Sequence, residues 1–116
     1  MYSRSDRVRK ALIKEISDII QRHVKDPRIS GIVSVTDAET SSDYKFAKVY
    51  VSVYGSDEQK EQTLEALQDS ASYIRGELGK RIRTRNTPEL EFIRDDSLER
   101  GSRITELIDK ISRGEL

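Results

Sequence analysis

Cysteine is absent from this 116-residue sequence, and histidine occurs once. Without cysteine there is neither a disulfide nor a thiolate metal site, and a reducing compartment is permitted. No apolar run approaches the roughly 18 residues of a membrane-crossing helix. The opening MYSRSDRVRK is charged and lacks the apolar stretch of a secretory signal, so a cytoplasmic location is expected. No Gly-rich phosphate loop follows a strand. His23 lies between Arg22 and Lys25, where it reads as a surface residue near a helix C-terminus. No serine has a recognisable histidine partner. Asp95, Asp96 and Glu99 cluster, but without the ligand spacing of a known calcium loop; capping a helix explains them more economically. The sequence therefore predicts no enzyme: no catalytic residue, no metal site and no cofactor.

Charged residues make up 36% of the chain and hydrophobic ones 34%, with a net charge of zero. At this charge content only well-placed apolar residues can fold a domain, and their regular spacing shows that they are well placed. Zero net charge conceals an uneven distribution. Residues 4–14 hold Arg4, Arg7, Arg9, Lys10 and Lys14 against Asp6 alone. Residues 75–85 hold Arg75, Lys80, Arg81, Arg83 and Arg85 against Glu77 alone. Residues 57–69 hold Asp57, Glu58, Glu61, Glu65 and Asp69 against Lys60. Each segment taken singly reads as a solvated helix face. The 75–85 segment is dense and nearly single-signed, and reads as a binding element.

Val8, Leu12, Ile16, Ile19 and Ile20 recur every three or four residues, predicting a helix over about 5–25 that Pro27 ends. Residues 32–38 and 45–54 read as strands. In the second, Ala47, Val49, Val51 and Val53 alternate with Lys48, Tyr50, Ser52 and Tyr54, a period of two that turns one face inward. Phe46, Tyr50 and Tyr54 fall on the other face. The polar stretch 39–43 fits a hairpin loop. From 58 to 83 the period is helical again, but Ser70, Ala71 and Ser72 interrupt it, and Gly76 and Gly79 follow. Small residues and glycines weaken a helix by up to roughly 1 kcal/mol each, so a bend is expected at 70–72. Pro88 stops the segment. Leu90, Phe92 and Arg94 alternate in a third strand, and a last helix is predicted from 97 to about 113, with Gly114 as its stop. A helical crossover between strands two and three favours parallel pairing. The predicted core comprises Ile16, Ile20, Val33, Val35, Val49, Val51, Leu67, Ile74, Leu78, Phe92 and Leu107.

RNA binding with little sequence preference needs cations for phosphates and flat side chains for bases. Arg81, Arg83 and Arg85 alternate where the chain leaves the helix, which sets their heads on one side of an extended stretch. Arg75, Lys80, Arg81, Arg83 and Arg85, joined by Arg7 and Lys10, are the expected RNA-binding surface. Arg75, beside the buried stripe, is the member most open to a purely structural role. Arg81 and Arg83 are less so, because few acids flank them in sequence. Tyr50, Tyr54 and Tyr73 are candidate stacking platforms, though each is as readily a packing residue. A protein-interaction adaptor using the open sheet or the acidic helix is the alternative.

Ordered motifs carry a resemblance along nearly the whole chain. They are Arg7-Val8, Lys25-Asp26-Pro27-Arg28, Asp43, Ala47-Lys48-Val49-Tyr50-Val51-Ser52-Val53, Tyr73-Ile74-Arg75, Arg83-Thr84-Arg85-Asn86-Thr87-Pro88-Glu89-Leu90-Glu91-Phe92, Asp95-Asp96-Ser97 and Gly101-Ser102-Arg103-Ile104. In this the chain resembles the bacterial ribosome-binding factor A family. The resemblance implies an α+β fold of the KH-like class in the type II order: a single RNA-binding domain over 1–116, with a three-stranded sheet and helices on one face. It implies a monomeric factor that binds free small (30S) ribosomal subunits and their 16S rRNA, including the 5′-terminal helix region. It also implies a role in late subunit maturation and rRNA precursor processing. The family replaces the usual Gly-x-x-Gly loop by an Ala-x-Gly helix–kink–helix element. That element falls at Ser70-Ala71-Ser72, with serine where the family usually has glycine.

Overall fold

The first helix, α1 (Arg4–His23), forms because Leu12, Ile16, Ile19 and Ile20 line one stripe, all at most 5% exposed. Asp6 lies in its first turn, Arg22 and His23 in its last, each on the side the helix dipole favours. It stops two residues earlier than the periodicity suggests: the Val24 amide reaches back to the Ile19 carbonyl, and Asp26 turns the chain by accepting from the Arg28 amide and guanidinium. This computed structural model describes residues 4–29, 32–82 and 86–96, with side chains from Asp6 onward. The predicted last helix and Leu107 lie outside the described residues.

Strands β1 (Val33–Thr40) and β2 (Phe46–Val53) form an antiparallel hairpin. The hairpin loop is later than predicted, because Glu39 and Thr40 still pair with Lys48 and Ala47. A β-bulge between Val35 and Asp37 inserts one residue and switches the parity of β1. Val33 and Val35 face the helices before it, and Ala38, only 1% exposed, faces them after it. The bulge residue Thr36 donates its hydroxyl across β2 to Asp95, at 2.6 Å. In β2, Ala47, Val49, Val51 and Val53 are all buried.

Helix α2 (Asp57–Asp69) begins with a reciprocal cap: Ser56 Oγ accepts from the Gln59 amide while Gln59 Oε1 accepts from the Ser56 amide. Caps of this kind are worth about 1 kcal/mol. Gly55, at φ 147°, precedes it; a Cβ there would lie 2.6 Å from Gln59 Oε1. Helix α3 (Ala71–Arg81) follows after a single break at Ser70, whose φ of −91° and ψ of 1° end the first helix. The break thus coincides with the small-residue cluster, whereas Gly76 and Gly79 lie within α3. Gly79 has a separate reason to be glycine: a Cβ there would stand 3.0 Å from Thr87 Oγ1, so its absence lets the 86–88 segment lie against the helix.

Strand β3 (Glu89–Arg94) pairs parallel with β2, completing the order β1-β2-β3. The three helices among the described residues cover one face. Leu12, Ile16, Ile19, Val49, Val51, Leu67, Ile74 and Leu78 form the centre of the core, each burial worth roughly 1.5–3 kcal/mol against exposure. Val33 and Val35 are half-buried and pack at the margin of the core, contrary to expectation. They lie on an edge strand with a neighbour on one side only. The outer edge of β3 is fastened to α2. Gln68 donates to the Leu90 carbonyl at 3.2 Å and accepts from the Phe92 amide at 2.9 Å. Arg94 reaches Asp57, Glu61 and Asp96, and these carboxylates hold its guanidinium more firmly protonated than usual. Among the described residues, no helix is long and apolar enough to cross a membrane.

Candidate nucleic-acid interface

Among the described residues, the cations singled out on α3 do not form one face. Successive residues on a helix turn by about 100°, so Arg75, Lys80 and Arg81 point to three different sides of α3. Arg75 donates through Nε and Nη2 to the Thr87 carbonyl, at 3.1 and 2.9 Å, pinning the segment that leads into β3. Lys80 pairs with Glu77 at 3.1 Å. Arg81 lies against α1, paired with Glu15 at 3.2 Å and Asp18 at 2.5 Å. Its expected freedom from acids is therefore corrected: few acids flank it in sequence, but the fold supplies two from 63 and 66 positions away. Arg83 and Arg85 lie outside the described residues.

The Arg81 pair has a measurable signature. The hydrogen bond from Arg81, reinforced by Arg22, holds the Asp18 carboxyl below its ordinary value of 3.8. A carboxylate with a depressed value contributes stability above its unfolded value and loses it as pH falls through the folded one. Arg81→Met should therefore melt lower than the parent protein at pH 7. The gap between them should narrow as pH falls below about 4. Thermal melts across pH 2.5–7 check this; a gap that does not change with pH would mean that Arg81 stabilises through packing alone.

Other cations gather at one end of the molecule. Arg7 on α1 is exposed and borders a cleft with Leu78, Asn86 and Thr87. Arg75 borders an adjoining groove with Lys45 and the same Asn86 and Thr87, with Glu89 at its side. Lys45 was missed in the sequence because a single lysine in a polar turn carries no signal. The fold gives it a place. Asp43 Oδ1 accepts from Ser41 Oγ and from the Lys45 amide, closing the turn, and Ser41 holds its carboxyl below the ordinary range. Tyr44 in the same turn has φ 59°. That is an uncommon conformation for a bulky side chain, costing on the order of 1–3 kcal/mol. Lys10 is exposed on α1.

The open face of the sheet has the opposite character. Register places Lys48 between Glu39 on β1 and Glu91 on β3, Phe46 beside Glu89, and Tyr50 between Asp37 and Ile93. Asp37 is paired with Arg9 at 3.2 Å. Tyr50 donates its hydroxyl to Glu39, and burial, aided by Glu39, raises its ionisation above the ordinary range. Phe46 and Tyr54 are 56% and 80% exposed. Aromatic rings are available there, but the carboxylates around them repel phosphate. No group of three or more His, Cys, Asp or Glu side chains suited to a metal exists among the described residues.

The profile of the family described as Ribosome-binding factor A matches residues 4–108. A ribosome-binding factor A of Caldanaerobacter subterraneus subsp. tengcongensis is 48% identical over 115 residues, covering 99% of this chain and 94% of that one. The crystal structure of ribosome-binding factor A from Thermus thermophilus is similar with a TM-score of 0.70 and 27% identity, over 80% of this chain and 97% of that one. A homology model of the Thermus thermophilus factor, fitted into a cryo-EM map of its 30S complex, is similar with a TM-score of 0.63 and 27% identity. It covers 76% of this chain and 91% of that one.

Proposed function

The chain belongs to the ribosome-binding factor A family, whose fold is KH-like, and from that membership we propose that it binds the free small (30S) ribosomal subunit. In this reading it contacts 16S rRNA, including the 5′-terminal helix region, and assists late subunit maturation and processing of the rRNA precursor. It acts as a cytoplasmic, monomeric, single-domain RNA-binding protein and carries out no chemical step itself. The likeness to the Thermus thermophilus factor fitted into a 30S complex is the observation that carries the reading. The cationic end of the domain supports it: Arg7, Lys45 and Arg75 converge around Asn86 and Thr87. Lys10, exposed on α1, and Arg83 and Arg85, which lie outside the described residues, complete the proposed RNA-binding set. Arg81, held between Glu15 and Asp18, contributes chiefly to the fold, and Lys80 pairs on the surface with Glu77.

Sedimentation with purified subunits tests the proposal. The protein should travel with free small subunits and be displaced as salt rises, because each phosphate contact releases condensed counterions. It should not travel with assembled ribosomes. Binding that persists unchanged from 50 to 500 mM salt would favour an adaptor that docks through apolar contacts.

A further inference from the structure

We propose that the cleft between the start of α1, the β1–β2 turn and the end of α3 holds one unstacked RNA base. The inference rests on the RNA-binding reading above and specifies how RNA would be held. The cleft measures about 190 Å³ and is walled by Val8, Leu12, Tyr44, Leu78, Ile82 and Pro88. A cavity of roughly 150 Å³ with aliphatic walls admits a benzene ring, so this one has room for a heterocycle. Walls of this kind offer water few partners. A flat, weakly hydrated ring therefore suits the cleft, and an aromatic wall gives a base of any identity a stacking surface.

Charge selects the occupant. Arg7 borders the mouth, and the adjoining groove, which shares Asn86 and Thr87, carries Lys45 and Arg75. An apolar slot beside a cationic groove fits a nucleotide: base in the slot, phosphates along the groove. A buried apolar side chain of a protein partner would use the slot and leave the cations idle. Tyr44 adds a local sign of purpose. It lines the cleft from a left-handed backbone conformation that bulky residues rarely adopt. Strained residues of this kind concentrate at binding sites.

Two measurements test the slot. In the first, the protein is titrated with adenosine monophosphate and, separately, with ribose 5-phosphate, while the methyl resonances of Val8, Leu12 and Leu78 are followed. The nucleotide should shift them saturably and the sugar phosphate should not. Equal responses to both, or a response to N-acetylphenylalaninamide but not to the nucleotide, would overturn the proposal. In the second, Ala11→Phe fills the cleft from an exposed position on its wall. It should abolish the nucleotide shifts and weaken binding to free small subunits about tenfold, without changing the salt dependence. If Ala11→Phe binds subunits like the parent while Arg7→Glu with Lys45→Glu weakens binding, the slot is wrong and the RNA-binding reading stands. If none of these variants weakens binding, the slot is wrong and the interface lies away from this end of the domain. The nucleotide titration uses the unaltered protein, so it decides the matter even if Ala11→Phe folds poorly.

Discussion

Val51→Asp should abolish cooperative unfolding. Val51 is 0% exposed and sits in the central strand, paired with Val35 on one side and Arg94 on the other. Its side chain points to the helices, into the layer that contains Val49, Leu67 and Ile74. A carboxylate there loses its water, and its cross-strand neighbour Arg94 is already held by Asp57, Glu61 and Asp96. Such a burial costs several kcal/mol even after relaxation, against a total stability of about 5–15 kcal/mol for a domain. The control is Ser52→Asp, the same change one residue along on the open face, expected to cost about 1 kcal/mol or less. Circular dichroism melts of the two variants should differ in kind: one cooperative transition for Ser52→Asp and none for Val51→Asp. Similar melts would mean that β2 is one residue out of register.

Reversing both charges in Arg7→Glu with Lys45→Glu should weaken binding to free small subunits roughly 100-fold at physiological salt, about tenfold for each charge. Both residues belong to the cationic end, and both are exposed, so the fold should tolerate the change. The slope of log affinity against log salt should flatten by about two, one for each lost phosphate contact. The comparison variant is Lys80→Glu, which alters a surface lysine paired with Glu77 and should leave the slope nearly unchanged. Filter binding over a series of salt concentrations measures affinity and slope together. Unaltered affinity in the double variant would move the interface away from this end of the domain.

Local patterns made much of the fold legible. The alternation from Ala47 to Val53 set the buried face of β2, and the helical crossover set parallel pairing with β3. The cluster at Ser70 marked the break between α2 and α3 because small polar residues interrupt a stripe wherever they stand. The bulge in β1 was invisible. It exchanges the faces of Asp37 and Ala38 through one inserted residue, and nothing in the composition of VSVTDA distinguishes that from plain alternation. The site was read less well than the fold for a related reason. Density of arginines is a one-dimensional signal, whereas availability to a ligand depends on tertiary neighbours. Arg81 looked free until α1 brought Glu15 and Asp18 to it. Lys45 looked ordinary until the hairpin turn carried it beside Arg75.

The carboxamide of Gln68 bears on how the protein behaves in company. By engaging the Leu90 carbonyl and the Phe92 amide, it occupies the backbone groups through which an outer strand recruits another chain. An unprotected edge of this kind is a template for aggregation, most of all for a strand carrying Leu and Phe on its pleats. Here a single side chain imitates the missing neighbouring peptide. A second chain cannot add at Leu90–Phe92 without first displacing it, so the β3 side of the sheet stays closed to growth however crowded the surroundings.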